Sequence, residues 1–179
     1  PSYGDPMFYF YTNELKFTPS VMGRLRLIYG LASVIGITMY NRYLKNVEFK
    51  KIMFWSTIIS IVFNMFSIIL VTRLNLIFGI SDFVFCMTAD ALTTALGEIN
   101  TMPLLVLACN LCPKNIEGTL YAFLMSVMNF GSLASNQSGA LLTNALGITN
   151  TDFKNLAWLI AIANLILVVP LPGLYLIKE

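Results

Sequence analysis

Residues 52–71 read Ile-Met-Phe-Trp-Ser-Thr-Ile-Ile-Ser-Ile-Val-Phe-Asn-Met-Phe-Ser-Ile-Ile-Leu-Val, twenty consecutive positions without a charge. As a helix rising 1.5 Å per residue, this stretch matches the ~30 Å hydrocarbon core of a bilayer. The rest of the chain agrees with it. Of 179 residues, 57% are hydrophobic and 11% charged, and the mean hydropathy is +0.74, whereas a soluble globular domain carries about 25% charged residues. A soluble enzyme and a disordered tail are both excluded.

Working outward, four further spans and part of a fifth appear. The last runs over 156–177, equally uncharged at its centre and ended or bent by Pro170 and Pro172. Residues 83–111 form a long apolar stretch interrupted by Asp90, Glu98 and Pro103; residues 116–146 form another, rich in Gly, Ser and Asn. A span at 21–44 carries Arg24 and Arg26 in its first turns. Residues 1–15, with the aromatic run Phe8, Tyr9, Phe10, Tyr11, supply about half a helix. The expected fold is all-α, a polytopic transmembrane bundle of five full spans plus the end of a sixth, joined by short turns and without a soluble domain. The loop holding Arg42, Lys45, Lys50 and Lys51 against Glu48 is the densest positive segment and is expected to be cytoplasmic. Lys114 and Lys178 would then lie on the same side, and Lys16, Arg24, Arg26, Arg73 and Lys154 opposite.

Several chemistries are excluded by composition. The chain has no histidine, so the commonest general base and metal ligand is missing. Cys109 and Cys112 form a lone C-x-x-C with no second pair, and Cys86 lies in an apolar run; three free thiols and no metal are expected. No phosphate loop or nucleophile elbow is present. A net charge of +2 without a basic cluster excludes nucleic acid as a partner. No enzymatic activity and no cofactor are expected.

Ionisable groups in mid-span carry the information, because each costs a few kcal/mol even after snorkelling. Asp90 and Glu98 are too far from a helix end to snorkel. Helical spacing aligns Asp90, Thr94, Gly97 and Thr101, with Glu98 beside them, on a stripe that should face protein or water. Such acids contact substrate or exchange a proton, unless they serve as interhelical hydrogen-bond acceptors. Two in one span exceed what packing needs. In the next span Asn129, Ser132, Asn136, Gly139 and Thr143 share a face, and Gly131, Ser135 and Ser138 make a second small-residue stripe. One stripe can pack while the other lines a cavity. Arg24 is placed to meet an anion at a cavity mouth or to snorkel. The candidate substrate-binding or proton-coupling residues are therefore Asp90, Glu98, Asp5, Arg24, Asn129 and Asn136.

A series of short motifs in order resembles the folate-biopterin transporter family, a branch of the major facilitator superfamily. The segments are Phe8-Tyr9-Phe10 with Thr12-Asn13-Glu14-Leu15; Gly79-Ile80-Ser81-Asp82; Met102-Pro103 with Leu105-Val106-Leu107-Ala108; Leu111-Cys112-Pro113; Glu117-Gly118-Thr119-Leu120; Leu124-Met125-Ser126 with Asn129; and Asn155-Leu156 leading to Pro170-Leu171-Pro172. The resemblance covers almost the whole chain. It implies twelve spans in two six-helix halves, of which this chain is the second, with an N-terminal half of the same transporter as partner. It also implies alternating-access transport of a folate, a pterin or a related small anion, coupled to protons, in a plasma membrane or the membrane of a plastid or other organelle. Asp90 matches a Gly-Asp pair of the family with Ala89 in place of the Gly, and Glu98 falls where relatives carry Gln. Cargo of S-adenosylmethionine or an amino acid, or a non-transporting membrane subunit, are the alternatives.

Overall fold

The structure, a computed structural model, describes residues 1–111 and 117–176; Cys112, Lys114 and Lys178 lie outside the described residues. Every described element of regular structure is a helix, and short turns join them. Helix α1 (Gly4–Tyr9) runs into a π turn, Phe10–Glu14; α2 (Pro19–Met39) ends in a second π turn, Tyr40–Leu44. Then follow α3 (Phe49–Asn64), α4 (Phe66–Val71), the short α5 (Leu74–Ile77), α6 (Asp82–Leu111), α7 (Glu117–Ala145), α8 (Leu156–Ile166) and a 3₁₀ segment, Leu171–Leu176. No strand occurs among the described residues.

Among the described residues, four stretches are long and apolar enough to cross a membrane: Pro19–Leu44, Phe49–Val71, Asp82–Cys109 and Leu156–Leu174. Helix α7 is as long as these, but its Asn, Gln, Ser and Gly content keeps it out of that set. Large apolar side chains such as Leu27, Leu31, Trp55, Phe130 and Val169 stand on the outside, more than half exposed. In water this would be an aggregation surface; against lipid tails it is the expected exterior.

Local chemistry accounts for the helix ends. Thr18 caps α2 by accepting from the Val21 N–H at 3.4 Å, and Pro19 occupies the first turn, where its missing N–H has no consequence. At the other end of the chain Pro170 would clash with the Ile166 carbonyl, so α8 stops at Ile166. The bonds that follow are i→i+3, Leu167 to Asn164 at 3.2 Å and Val169 to Ile166 at 3.0 Å, and they lead into the 3₁₀ segment. The uncharged stretch 52–71 is not one unbroken helix: Met65 separates α3 from α4, with the Ile68 N–H closing on the Met65 carbonyl at 3.0 Å.

Two apolar clusters hold the helices together. The larger joins Met7, Phe10, Leu25, Leu70, Cys86, Leu156, Leu159 and Ile160 from five helical segments; the smaller, Tyr40, Ile52 and Ile99, closes the opposite end of α2, α3 and α6. The most extensive helix pair is α2 with α6. Their partners rise together along both helices, from Leu25 and Cys86 at one end to Tyr40 and Ile99 at the other, so the two run in the same direction. Gly36 permits that approach, because a Cβ there would run into the Ala95 carbonyl.

Candidate functional site

Helix α6 carries three polar side chains into the bundle, and each is met by a neighbouring helix. Asp90 is the first. Its Oδ2 accepts from the Tyr11 hydroxyl and from the Tyr29 hydroxyl, both at 2.7 Å. Tyr29 comes from α2; Tyr11 comes from the π turn after α1, closed by the Leu15 N–H on the Phe10 carbonyl at 3.0 Å. The wider π turn carries Phe10 and Tyr11, both buried, toward the bundle in succession. Asp90 thus ties three helical segments to one oxygen. Cys86, one turn earlier, is completely buried beside it.

Glu98 lies two turns further along α6 and accepts through Oε1 from the Ser33 hydroxyl of α2 at 2.7 Å. Asn100 faces the other way, toward α3. Its Nδ2 donates to Ser60 at 3.0 Å, and its Oδ1 accepts from Ser56. This serine–asparagine knot did not stand out in the sequence. Its signal was the i, i+4 spacing of Ser56 and Ser60 on an otherwise apolar span.

Asp5 and Asn136 meet elsewhere, in a cavity of about 260 Å³ between α1 and α7 that Tyr9, Thr143, Asn144 and Asn150 also line. The two helices are held together at its edge. The Ser2 N–H donates to the Ser135 carbonyl at 2.9 Å, and a Cβ on Gly139 would overlap the Ser2 backbone. The two α7 stripes therefore divide their work differently from the simple expectation: Ser135 and Gly139 pack, one from each stripe, while Asn136 and Thr143 line the cavity. Arg24 and Asn129 are exposed, and the structure brings neither to Asp90, to Glu98 nor to the α1–α7 cavity.

A fourth polar cluster stands in the turn between α4 and α6. Asp82 accepts from Arg73 Nη1 at 2.8 Å through Oδ2 and from Asn75 Nδ2 at 2.8 Å through Oδ1. Asn75 also donates to the Ile80 carbonyl at 3.1 Å. The turn depends on left-handed backbone at Arg73, φ 61°, and Gly79, φ 72°.

With this geometry in place, similarity to known proteins is extensive. The family described as the BT1 family matches residues 4–179. A "Folate-biopterin transporter" of Synechocystis sp. is 47% identical over 99% of this chain and 36% of its own length. In Plasmodium falciparum, "Folate transporter 1" is 36% identical over 100% of this chain and 35% of its own, and "Folate transporter 2" is 38% identical over 88% and 34%. The chain therefore spans about a third of the length of these curated relatives. No solved structure matches it.

Proposed function

The chain belongs to the BT1 family, and from that premise we propose that it is the second six-helix half of a membrane transporter for folate or pterin-type small anions. The support is the naming of its relatives as folate and folate-biopterin transporters, together with the placement of acids on membrane helices. In this reading the first half of the protein completes the central cavity, the whole has the major-facilitator architecture, and transport proceeds by alternating access.

The observation that carries the coupling part is Asp90, an intramembrane carboxylate held by hydroxyls from two other helical segments. A proton arriving on Asp90 changes its charge at the junction of α1, α2 and α6, and so biases how those segments pack. Glu98, joined to Ser33 on the same pair of helices, is the second candidate for that role. Asp5 and Asn136 are assigned to substrate, Arg24 to its carboxylate at the cavity mouth, and Asn129 to a neutral hydrogen bond.

Uptake of labelled folate by the complete protein in proteoliposomes, with an inward proton gradient imposed and then collapsed by an uncoupler, tests the proposal. Uptake that falls with the gradient is expected. Uptake indifferent to the gradient contradicts proton coupling, and no uptake in folded, verified vesicles contradicts the choice of cargo.

A further inference from the structure

The cavity between α1 and α7 has a composition that points to one kind of ligand edge. Asp5 brings a carboxylate, Asn136 and Asn144 bring amides, Thr143 a hydroxyl and Tyr9 an aromatic ring. Asp5 is exposed to the cavity and has no hydrogen-bond or ion-pair partner among the described residues. It lies eight positions before Asn13 near the end of its helical segment, about 12 Å along the axis at 1.5 Å per residue. An exposed carboxylate that has no cation beside it is open to N–H donors from a ligand or to water.

Size narrows the ligand. At about 260 Å³ the cavity falls just below the ~300–1,000 Å³ of sites that enclose drug-sized molecules. It has room for a bicyclic ring. The walls are fixed by backbone contact, since Gly139 and Ser135 seat the Ser2 backbone directly on α7.

We infer that the α1–α7 cavity is the recognition site for the fused-ring head of the substrate, with the Asp5 carboxylate pairing with two adjacent N–H donors of a 2-amino-4-oxo pyrimidine edge. This rests on the function proposed above. Two parallel N–H···O bonds to one carboxylate form the strong bidentate arrangement that a guanidinium also makes. The amides and hydroxyl of Asn136, Asn144 and Thr143 both donate and accept, and so suit the mixed ring heteroatoms. Tyr9 offers a ring face or edge to the flat heterocycle. The anionic tail extends beyond this cavity.

The test is equilibrium binding of labelled pterin to the purified full-length protein, with competition by unlabelled pterin, 3-methylpterin and 2,4-dioxopteridine. Each analogue removes one N–H donor, and the dioxo compound also turns an acceptor toward Asp5. A hydrogen bond to a charged group is worth ~1.5–3 kcal/mol, so each analogue should bind about tenfold to a hundredfold more weakly. In Asp5→Asn the preference should shrink to within about threefold. Equal binding of all three by the unaltered protein overturns the inference, as does an Asp5→Asn protein that keeps the full preference, or an absence of pterin binding. The analogue series needs no variant and stands if Asp5→Asn does not fold. Edge-selective binding without folate uptake would contradict the transport reading and not this site; uptake without edge selectivity would contradict this site alone.

Discussion

The Tyr29 hydroxyl donates to Asp90 Oδ2 at 2.7 Å, the same oxygen that Tyr11 reaches from the π turn after α1 at 2.7 Å. Oδ1 is left without a partner among the described residues, and is the atom open to a proton or a substrate group. Tyr29→Phe and Tyr11→Phe each remove one donor to a charged acceptor, a loss of ~1.5–3 kcal/mol in the state that uses it. Each single variant should slow gradient-driven uptake about tenfold or more, and the double variant further. The rate and its pH profile in vesicles check this; a wild-type profile in the double variant would mean that the tyrosines serve packing alone.

The α2–α6 crossing depends on the absence of one carbon. Gly36→Ala places a Cβ against the Ala95 carbonyl, backbone that cannot swing aside, and should lower stability by about 1–3 kcal/mol. Gly36→Val should prevent folding. Thermal unfolding of detergent-solubilised protein is the measurement, with Gly97→Ala, which meets open space, as the comparison that stays near wild type.

Asp82 satisfies two donors at once, so its loss should exceed the loss of either donor. Asp82→Ala leaves Arg73 and the fully buried Asn75 short of an acceptor and should destabilise by about 1–3 kcal/mol. Arg73→Ala should cost less, because that ion pair is partly solvated, the Arg73 side chain being 36% exposed. Melting of the two variants at low and high salt separates these contributions, with only the Arg73 contribution expected to screen.

Asn164 is completely buried on α8, and neither amide atom has a partner among the described residues. A buried amide without hydrogen bonds opposes folding, and a leucine has nearly its shape. Asn164→Leu should therefore raise stability by about 1–3 kcal/mol. A fall of the same size would show that this amide is engaged by a group from the rest of the protein.

Much of this arrangement was legible in the residues alone. The charge-free stretch 52–71, the Pro170 stop and the acids in 83–111 follow from the cost of charge in lipid and from proline sterics, which act locally. Asp90 and Glu98 could be placed on a protein-facing stripe by spacing. Their partners could not, because Tyr11 reaches Asp90 only through a π turn and Ser33 reaches Glu98 only through the Gly36 crossing. Neither a widened turn nor a helix crossing has a period to read. The meeting of Asp5 with Asn136 was equally hidden: the two stripes of α7 were visible, but which residue packs and which lines a cavity is decided by where the Ser2 backbone lands.

Proton coupling in this transporter rests first on Asp90. The direct measurement is uptake of labelled folate by the complete protein in proteoliposomes under an inward proton gradient, comparing wild type with Asp90→Asn at equal amounts of folded protein. The asparagine keeps the shape and an acceptor for the tyrosines but takes no proton, so uptake should be abolished while the protein still inserts and folds. Transport by Asp90→Asn at the wild-type rate under the same gradient would contradict the role assigned to this carboxylate.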